Sequence, residues 1–256
     1  LITLFSNNNI RLIFVFDGKP PVEKHELLQR RKIEKQNAEK KYNETVNMLI
    51  DETDDTNKKI VENELANIKK QFVRVTYANI QTAKGIMDSM NISYIHAPGE
   101  ADTLCAHMVY SGLAWGCLSD DMDMLVYGCN FVLRNIDIHR ETLMIYNLKS
   151  ILVDIRLTMG MFRDIAVVSG TDYCSNNNTS LSKTLKFFKK YNIQIKHNLT
   201  ILSFYDWLDK NTGYIEDRVR LAKTYSMFEM TSYPELYKFS ESCNLSIKYN
   251  EVIIAI

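Results

Sequence analysis

The chain has 256 residues, 46% of them hydrophobic, with 31 basic and 31 acidic side chains and a formal net charge of zero. That is enough apolar matter for one large domain or a domain with a satellite, and the balanced charge neither indicates nor excludes a nucleic-acid partner. Five widely spaced cysteines (Cys105, Cys117, Cys129, Cys174 and Cys243) contain no C-x-x-C pair, which argues against a disulfide framework or zinc site and for a reducing compartment; no apolar run reaches the roughly 18 residues of a membrane span.

The chain opens on Leu1 inside an apolar segment and reads as a fragment whose N-terminal part is missing. "LIFVF", Leu12 to Phe16, is a buried strand that stops at Asp17-Gly18 and is broken by Pro20-Pro21. Residues 22–41 are polar, free of Gly and Pro, and have helical composition without a clear apolar face; Lys and Arg outnumber Glu there. The acidic "DETDD" at 51–55 is expected to be a turn, and a second helix to run from Lys58 to about Met90. "ISYIHAP" (92–98) is a short strand and loop, "GEADTLCAHMVYSG" a helix opened by acids and closed by Gly112, and "LAWGCLS" another buried strand. "NFVLRNI" and "TLMIYNL" are further strands, and "LTMGMFRDIAVVSG" is a helix ending near Gly170. From Ser175 the chain is mainly helical and polar after an Asn-rich turn, "SNNNTS". Strands alternating with helices predict an α/β fold with a parallel sheet flanked by helices.

In such sheets the ligand site lies at the carboxyl ends of the strands. Asp17 follows one strand, Glu100 and Asp102 the next, and Asp120, Asp121 and Asp123 a third, while Asp172 follows an apolar helix. Carboxylates crowded together stay ionised only if cations neutralise them, and oxygen donors without Cys or His favour Mg²⁺ or Mn²⁺ over zinc. The rival reading is structural: single acids at strand ends are commonly helix caps or solvated turn residues. The 120–123 cluster resists that reading best, because apolar sequence flanks it on both sides.

"VFDGKPP", "HAPGEADTLCAHMVYSGLAWGCLSDDMDMLVYG" and "VVSGTDYC", in this order and spacing over about residues 10–175, resemble the blocks of the flap endonuclease/XPG superfamily of structure-specific 5′ nucleases, the flap endonuclease branch above all. The resemblance implies a PIN-like core over 1–160, with a helical arch at about 19–75 and an internal region at about 76–160. A helical C-terminal region, 161–256, would carry a helix–two-turn–helix element. It also implies two Mg²⁺ ions, replaceable by Mn²⁺, held by Asp17, Glu100, Asp102, Asp121, Asp123 and Asp172, with Asp120 outside the metal set. Lys24 and Arg31 align with arch residues that contact the scissile phosphate. Arg30, Lys35 and Lys183 join Lys24 and Arg31 as DNA-binding residues, and the substrate is branched DNA with a 5′ flap, cut during replication and repair. The implied protein is a monomer working inside the cell, in the nucleus or a viral replication compartment. A sliding clamp is a candidate partner, although no Q-x-x-L-x-x-F-F peptide is present.

The sequence departs from the family pattern in places. The earliest family segment, with a further catalytic Asp, would precede residue 1. The glycines of the duplex-binding hairpin are replaced by Thr179 and Leu181, which resist left-handed backbone angles. Abundant Asn, Ile and Lys point to an AT-rich coding genome, as in a viral or protist copy. These departures keep open a catalytically weakened relative that binds branched DNA or a repair partner, and a 5′ exonuclease acting at nicks or RNA primers.

Overall fold

The structure, a computed structural model, describes residues 1–51, 55–174, 178–197, 199, 201–230 and 251–255. They form two compact units, one of Leu1–Pro21 with Asn91–Ile256 and one of Val22–Met90.

The first unit is built on a sheet. Helix α1 (Ile2–Asn7) leads into strand β1 (Arg11–Phe16); β2 is Ser93–His96, β3 Gly116–Leu118, β4 Phe131–Asp137, β5 Thr142–Asn147 and β6 Glu251–Ala255. Their order is β2-β1-β6-β3-β4-β5. All neighbours run parallel except β5, which pairs antiparallel with β4. Five consecutive residues of β1 are buried, as expected of a strand covered on both faces. The expected strand 113–119 shortens to three residues, and the two candidates after Asn130 become the β4–β5 hairpin.

The expectation of a helical chain beyond Ser175 holds through α9 (Leu181–Lys196), α10 (Phe204–Thr212) and α11 (Arg218–Met227) and is corrected at 251–255. There the β-branched Val252, Ile253 and Ile254 make a strand at the middle of the sheet, where apolar β-branched residues fit best. Strand β6 joins β1 to β3: Val252 is level with both Leu12 and Gly116, and Ile254 with both Phe14 and Leu118.

Helix α5 (Ala101–Tyr110) is buried along almost its whole length, and α6 (Asp123–Tyr127) ends at Gly128, whose φ of 103° suits a residue without Cβ. Helices α7 (Leu148–Ile155) and α8 (Met159–Ser169) complete the order. One continuous core runs from Ile13 and Val15 of β1 through Leu104, Met108 and Leu125 to Phe188, Phe204 and Leu208.

The second unit is helical. A 3-10 turn, Val22–Lys24, opens α2 (His25–Asp51), which packs on α3 (Asp55–Gln71); α4 (Tyr77–Ser89) follows. Lys41 pairs with Glu64 at 2.8 Å, Arg74 with Glu39 at 2.7 Å, and the rings of Tyr42 and Phe72 meet edge to face at 5.4 Å. The single helix expected from Lys58 to Met90 is therefore corrected to two. The break at 72–76 contains Val73, Val75 and Thr76, poor helix formers, and Thr76 starts α4 with a reciprocal capping box on Asn79. Of the expected acidic turn, Asp51 ends α2 and Asp55 begins α3, while 52–54 lie outside the described residues, as do Ser175, Asn176 and Asn177 of the Asn-rich turn, and Cys243.

Candidate active site

The carboxyl end of the sheet collects the acids. Asp17 stands directly after β1, and its Oδ1 accepts the backbone N–H of Ala101 at 2.8 Å. Glu100 occupies the N-cap position of α5 but makes no capping bond with its side chain, so Asp17 caps that helix from another strand. An anionic cap there also faces the positive end of the helix dipole. The approach demands a glycine next door. Gly18 N–H donates to the Gly99 carbonyl at 2.7 Å, and a Cβ on Gly18 would lie 2.1 Å from the Ala97 oxygen.

Glu100 is tied elsewhere. The phenol of Tyr173 donates to its Oε2 at 2.5 Å, and the Tyr173 oxygen lies 2.9 Å from the Tyr127 oxygen. Thr103 Oγ1 continues the chain to Tyr127 at 3.3 Å. Burial, then the neighbouring Tyr127 and the bond to Glu100, push the Tyr173 phenol far above its ordinary pKa, so it remains a donor.

The acids after β3 form a turn of their own. Asp121 Oδ1 accepts the N–H of Asp123, which starts α6, and Ser119 Oγ accepts the N–H of Asp121. Asp120, expected to be a bystander, has a structural part. Its Oδ1 accepts the N–H of Asn135 at 3.0 Å and its carbonyl accepts from Arg134 Nη2 at 2.5 Å. Arg134 also donates to the Met122 sulfur and lies over the Tyr146 ring. Asp102, half-buried in the first turn of α5, helps burial raise the pKa of the Cys105 and Cys129 thiols. Asp172 sits in the 171–174 turn after α8, beside Tyr173.

The structure thus brings Asp17, Glu100 and the 171–174 turn into one bonded system around the start of α5, and fastens the 120–123 turn to β4. The donor chemistry suits a hard divalent cation: carboxylate oxygens, without thiolate or imidazole from the predicted set. The geometry makes no cage, since among the described residues no three His, Cys, Asp or Glu side chains gather closely enough to hold an ion. Several of the carboxylates serve as caps and tethers instead.

Sequence reasoning missed Tyr173, Tyr127, Arg134 and Arg220. Arg220 Nε and Nη2 donate to the Tyr173 carbonyl at 3.3 and 3.2 Å. Tyr173 and Tyr127 carried a signal only as members of the quoted blocks, Tyr173 after Asp172 in "GTDYC" and Tyr127 in "DMLVYG"; Arg134 and Arg220 carried none.

The predicted basic residues lie as follows. In the second unit Lys24 ends the 3-10 turn, and Arg30, Arg31 and Lys35 are exposed on α2. Arg30 faces Glu34 at 3.8 Å, and Lys35 Nζ reaches the Val73 carbonyl at 3.5 Å. Arg31, Lys32, Lys35 and Arg74 line a hollow of about 550 Å³. In the first unit Lys183, in the first turn of α9, donates to the Asn178 carbonyl at 3.2 Å and lies over the Tyr214 ring.

The family description XPG I-region matches residues 91–172. The chain is 33% identical over 189 residues to flap endonuclease 1 of Brugia malayi, covering 72% of this chain and 47% of that protein. It is 31% identical over 197 residues to flap endonuclease 1 of Sulfolobus acidocaldarius, covering 70% and 52%. The chain therefore spans about half the length of the curated relatives it matches. Among solved structures it is similar to flap endonuclease-1 from Methanococcus jannaschii, with a TM-score of 0.55 and 24% identity over 90% of this chain and 64% of that one. The catalytic core of Rad2 in complex with DNA substrate matches with a TM-score of 0.56 and 21% identity, over 92% and 62%. These two likenesses bear out the α/β fold with a helix-flanked sheet expected from the sequence.

Proposed function

Since the chain belongs to the flap endonuclease/XPG superfamily, whose members generally depend on divalent metal, we propose that it is part of a structure-specific 5′ nuclease that hydrolyses phosphodiester bonds in branched DNA. The observation that carries this reading is the bonded start of α5, where Asp17, Glu100 and the 171–174 turn meet, with the Asp121–Asp123 turn following β3 at the carboxyl end of the same sheet. A fold needs one cap at α5, which Asp17 supplies; the further acids that follow the strand ends are read as ligands for cations, which relieve repulsion between carboxylates.

In this reading Asp17, Glu100, Asp102, Asp121, Asp123 and Asp172 take up two Mg²⁺ or Mn²⁺ ions. A carboxylate accepts several partners, so Asp17 and Asp121 can keep their local bonds while they do so. When bound, such ions supply a nucleophilic water and charge neutralisation at the phosphate. Lys24 and Arg31 are the proposed phosphate contacts, with Arg30, Lys35 and Lys183 as further DNA-binding cations, matching the electrostatic demand of a polyanionic substrate. Among the described residues no helix is long and apolar enough to cross a membrane. The DNA substrate of this reading places the enzyme inside the cell.

The test is cleavage of a 5′-labelled flap substrate, beside nicked duplex, in Mg²⁺ and in EDTA. Asp123→Ala is expected to abolish cleavage while leaving flap binding intact; cleavage retained by that variant, or indifferent to EDTA, removes the assignment. A second reading, a relative that binds branched DNA without cutting it, is favoured by the failure of three carboxylates to gather as a cage. Tight flap binding by the wild-type chain with no cleavage in Mg²⁺ selects it.

A further inference from the structure

Three aromatic residues lie beneath the rim, outside the acid set. Tyr173 and Tyr127 are almost completely buried, and the Phe228 ring, fully buried, packs against both, with centroids 4.6 Å from Tyr127 and 5.7 Å from Tyr173. Phe228 follows α11, Tyr127 ends α6, and Tyr173 belongs to the turn after α8. Both ends of Tyr173 are fixed. Arg220 of α11 holds its backbone carbonyl through two nitrogens, and its phenol reaches Glu100 Oε2 at 2.5 Å with Tyr127 behind it at 2.9 Å. A buried phenol needs hydrogen-bond partners, and Tyr173 directs its single O–H at the half-exposed Glu100 carboxylate, which that bond holds in one direction. Glu100 has no capping duty to explain it, since Asp17 fills that role.

We propose that Tyr173 is a positioning residue of the nuclease site, its phenol fixing the direction of the Glu100 carboxylate, with Tyr127 as the second link in the same relay. The proposal rests on the nuclease reading. The relay ties the first carboxylate of α5 to α6, to the turn carrying Asp172 and, through Arg220 and Phe228, to α11. Side chains that orient a reacting or ligating carboxylate from behind act on turnover and ion affinity and leave substrate affinity alone, because they touch no substrate.

The experiment compares wild type, Tyr173→Phe, Tyr127→Phe, Glu100→Gln and the Tyr173→Phe/Glu100→Gln double variant. The readouts are thermal melting, flap-DNA Kd in Ca²⁺, kcat and KM in Mg²⁺, and Mn²⁺ binding without DNA followed by electron paramagnetic resonance. Tyr173→Phe is expected to melt cooperatively, to bind the flap as wild type does, and to lose about 10- to 100-fold in kcat or Mn²⁺ affinity. Tyr127→Phe loses less, and the double variant is no worse than Glu100→Gln alone, the sign of one shared unit. Wild-type kcat and Mn²⁺ binding in Tyr173→Phe overturn the proposal while the nuclease reading stands. If Tyr173→Phe fails to fold, Tyr127→Phe decides alone: unchanged kcat and Mn²⁺ affinity overturn the proposal. A wild-type chain that neither cuts DNA nor binds Mn²⁺ removes the nuclease reading and this proposal with it.

Discussion

Asp17 Oδ1 accepts the N–H of Ala101 at 2.8 Å, so an acid at the end of one strand caps the helix that follows the next. The two roles assigned to Asp17, cap and ion ligand, separate by substitution. Asp17→Ala should cost about 1 kcal/mol of stability, the usual worth of a helix cap. Asp17→Asn keeps an accepting oxygen and should cost less than about 0.5 kcal/mol, since Asn and Asp cap about equally well. Cleavage should be lost in both. Urea denaturation in EDTA, run beside the flap assay, checks each half.

Gly18→Ala is the harsher change, although it adds a single methyl group. The new Cβ would meet the carbonyl oxygens of Ala97 at 2.1 Å and Gly99 at 2.9 Å, which belong to backbone and cannot rotate away. The expected loss is about 3 kcal/mol or more, at the upper end for overpacking. A fall in the denaturant midpoint of the whole first unit would be seen; a midpoint within error of wild type would contradict the close approach.

Arg134 fastens the acidic turn to β4 through the Asp120 carbonyl and the Met122 sulfur. Arg134→Ala should cost about 1.5–3 kcal/mol, the range for hydrogen bonds made by a charged group. Asp120→Asn should be nearly silent, because the amide oxygen can still accept from Asn135 N–H and the exposed ion pair contributes little. Thermal melting of the two variants ranks them.

Asp164 on α8 gives the fold a pH dependence of unusual sign. Burial raises its pKa to about 6, against the pull of Arg163 and Arg218. Below about pH 4 both folded and unfolded chains hold the proton, and the folded state has its full advantage. Between about pH 4 and 6 the unfolded chain gives up the proton first, so this residue's contribution falls as pH rises, and it is flat above about 6. Asp164→Asn should remove that slope and leave a chain more stable than wild type at pH 7. Denaturant midpoints measured at pH 4, 5, 6 and 7 test it.

How much was legible in the sequence depended on the range of the interactions. Strand β1 was readable because an unbroken apolar run ending in Asp-Gly is a local signal, and α5 because Gly112 closes it. Strand β6 was not. "EVIIA" is short, and only its partners β1 and β3, far away in sequence, make it a strand rather than an apolar tail. The break before α4 was written in Val73, Val75 and Thr76 but was outvoted by the polar helical composition on either side. At the site, the acids were visible as types and spacings. Their supports were not, because Tyr127, Tyr173 and Arg134 meet their partners across the fold and resemble ordinary core or strand residues in one dimension.

The placement of β6 has a consequence for biosynthesis. Arg11 lies alongside Glu251, about 240 residues further along, and β1 and β3 have no edge in common until that strand arrives between them. A ribosome therefore releases β1, α5 and β3 long before the sheet they belong to can close. Loop closure over such a distance is slow, and the waiting strand edges are open to wrong partners meanwhile. The nascent chain should need shelter until β6 has emerged, and the bonded acids around α5 should settle late in folding, after translation has passed residue 255.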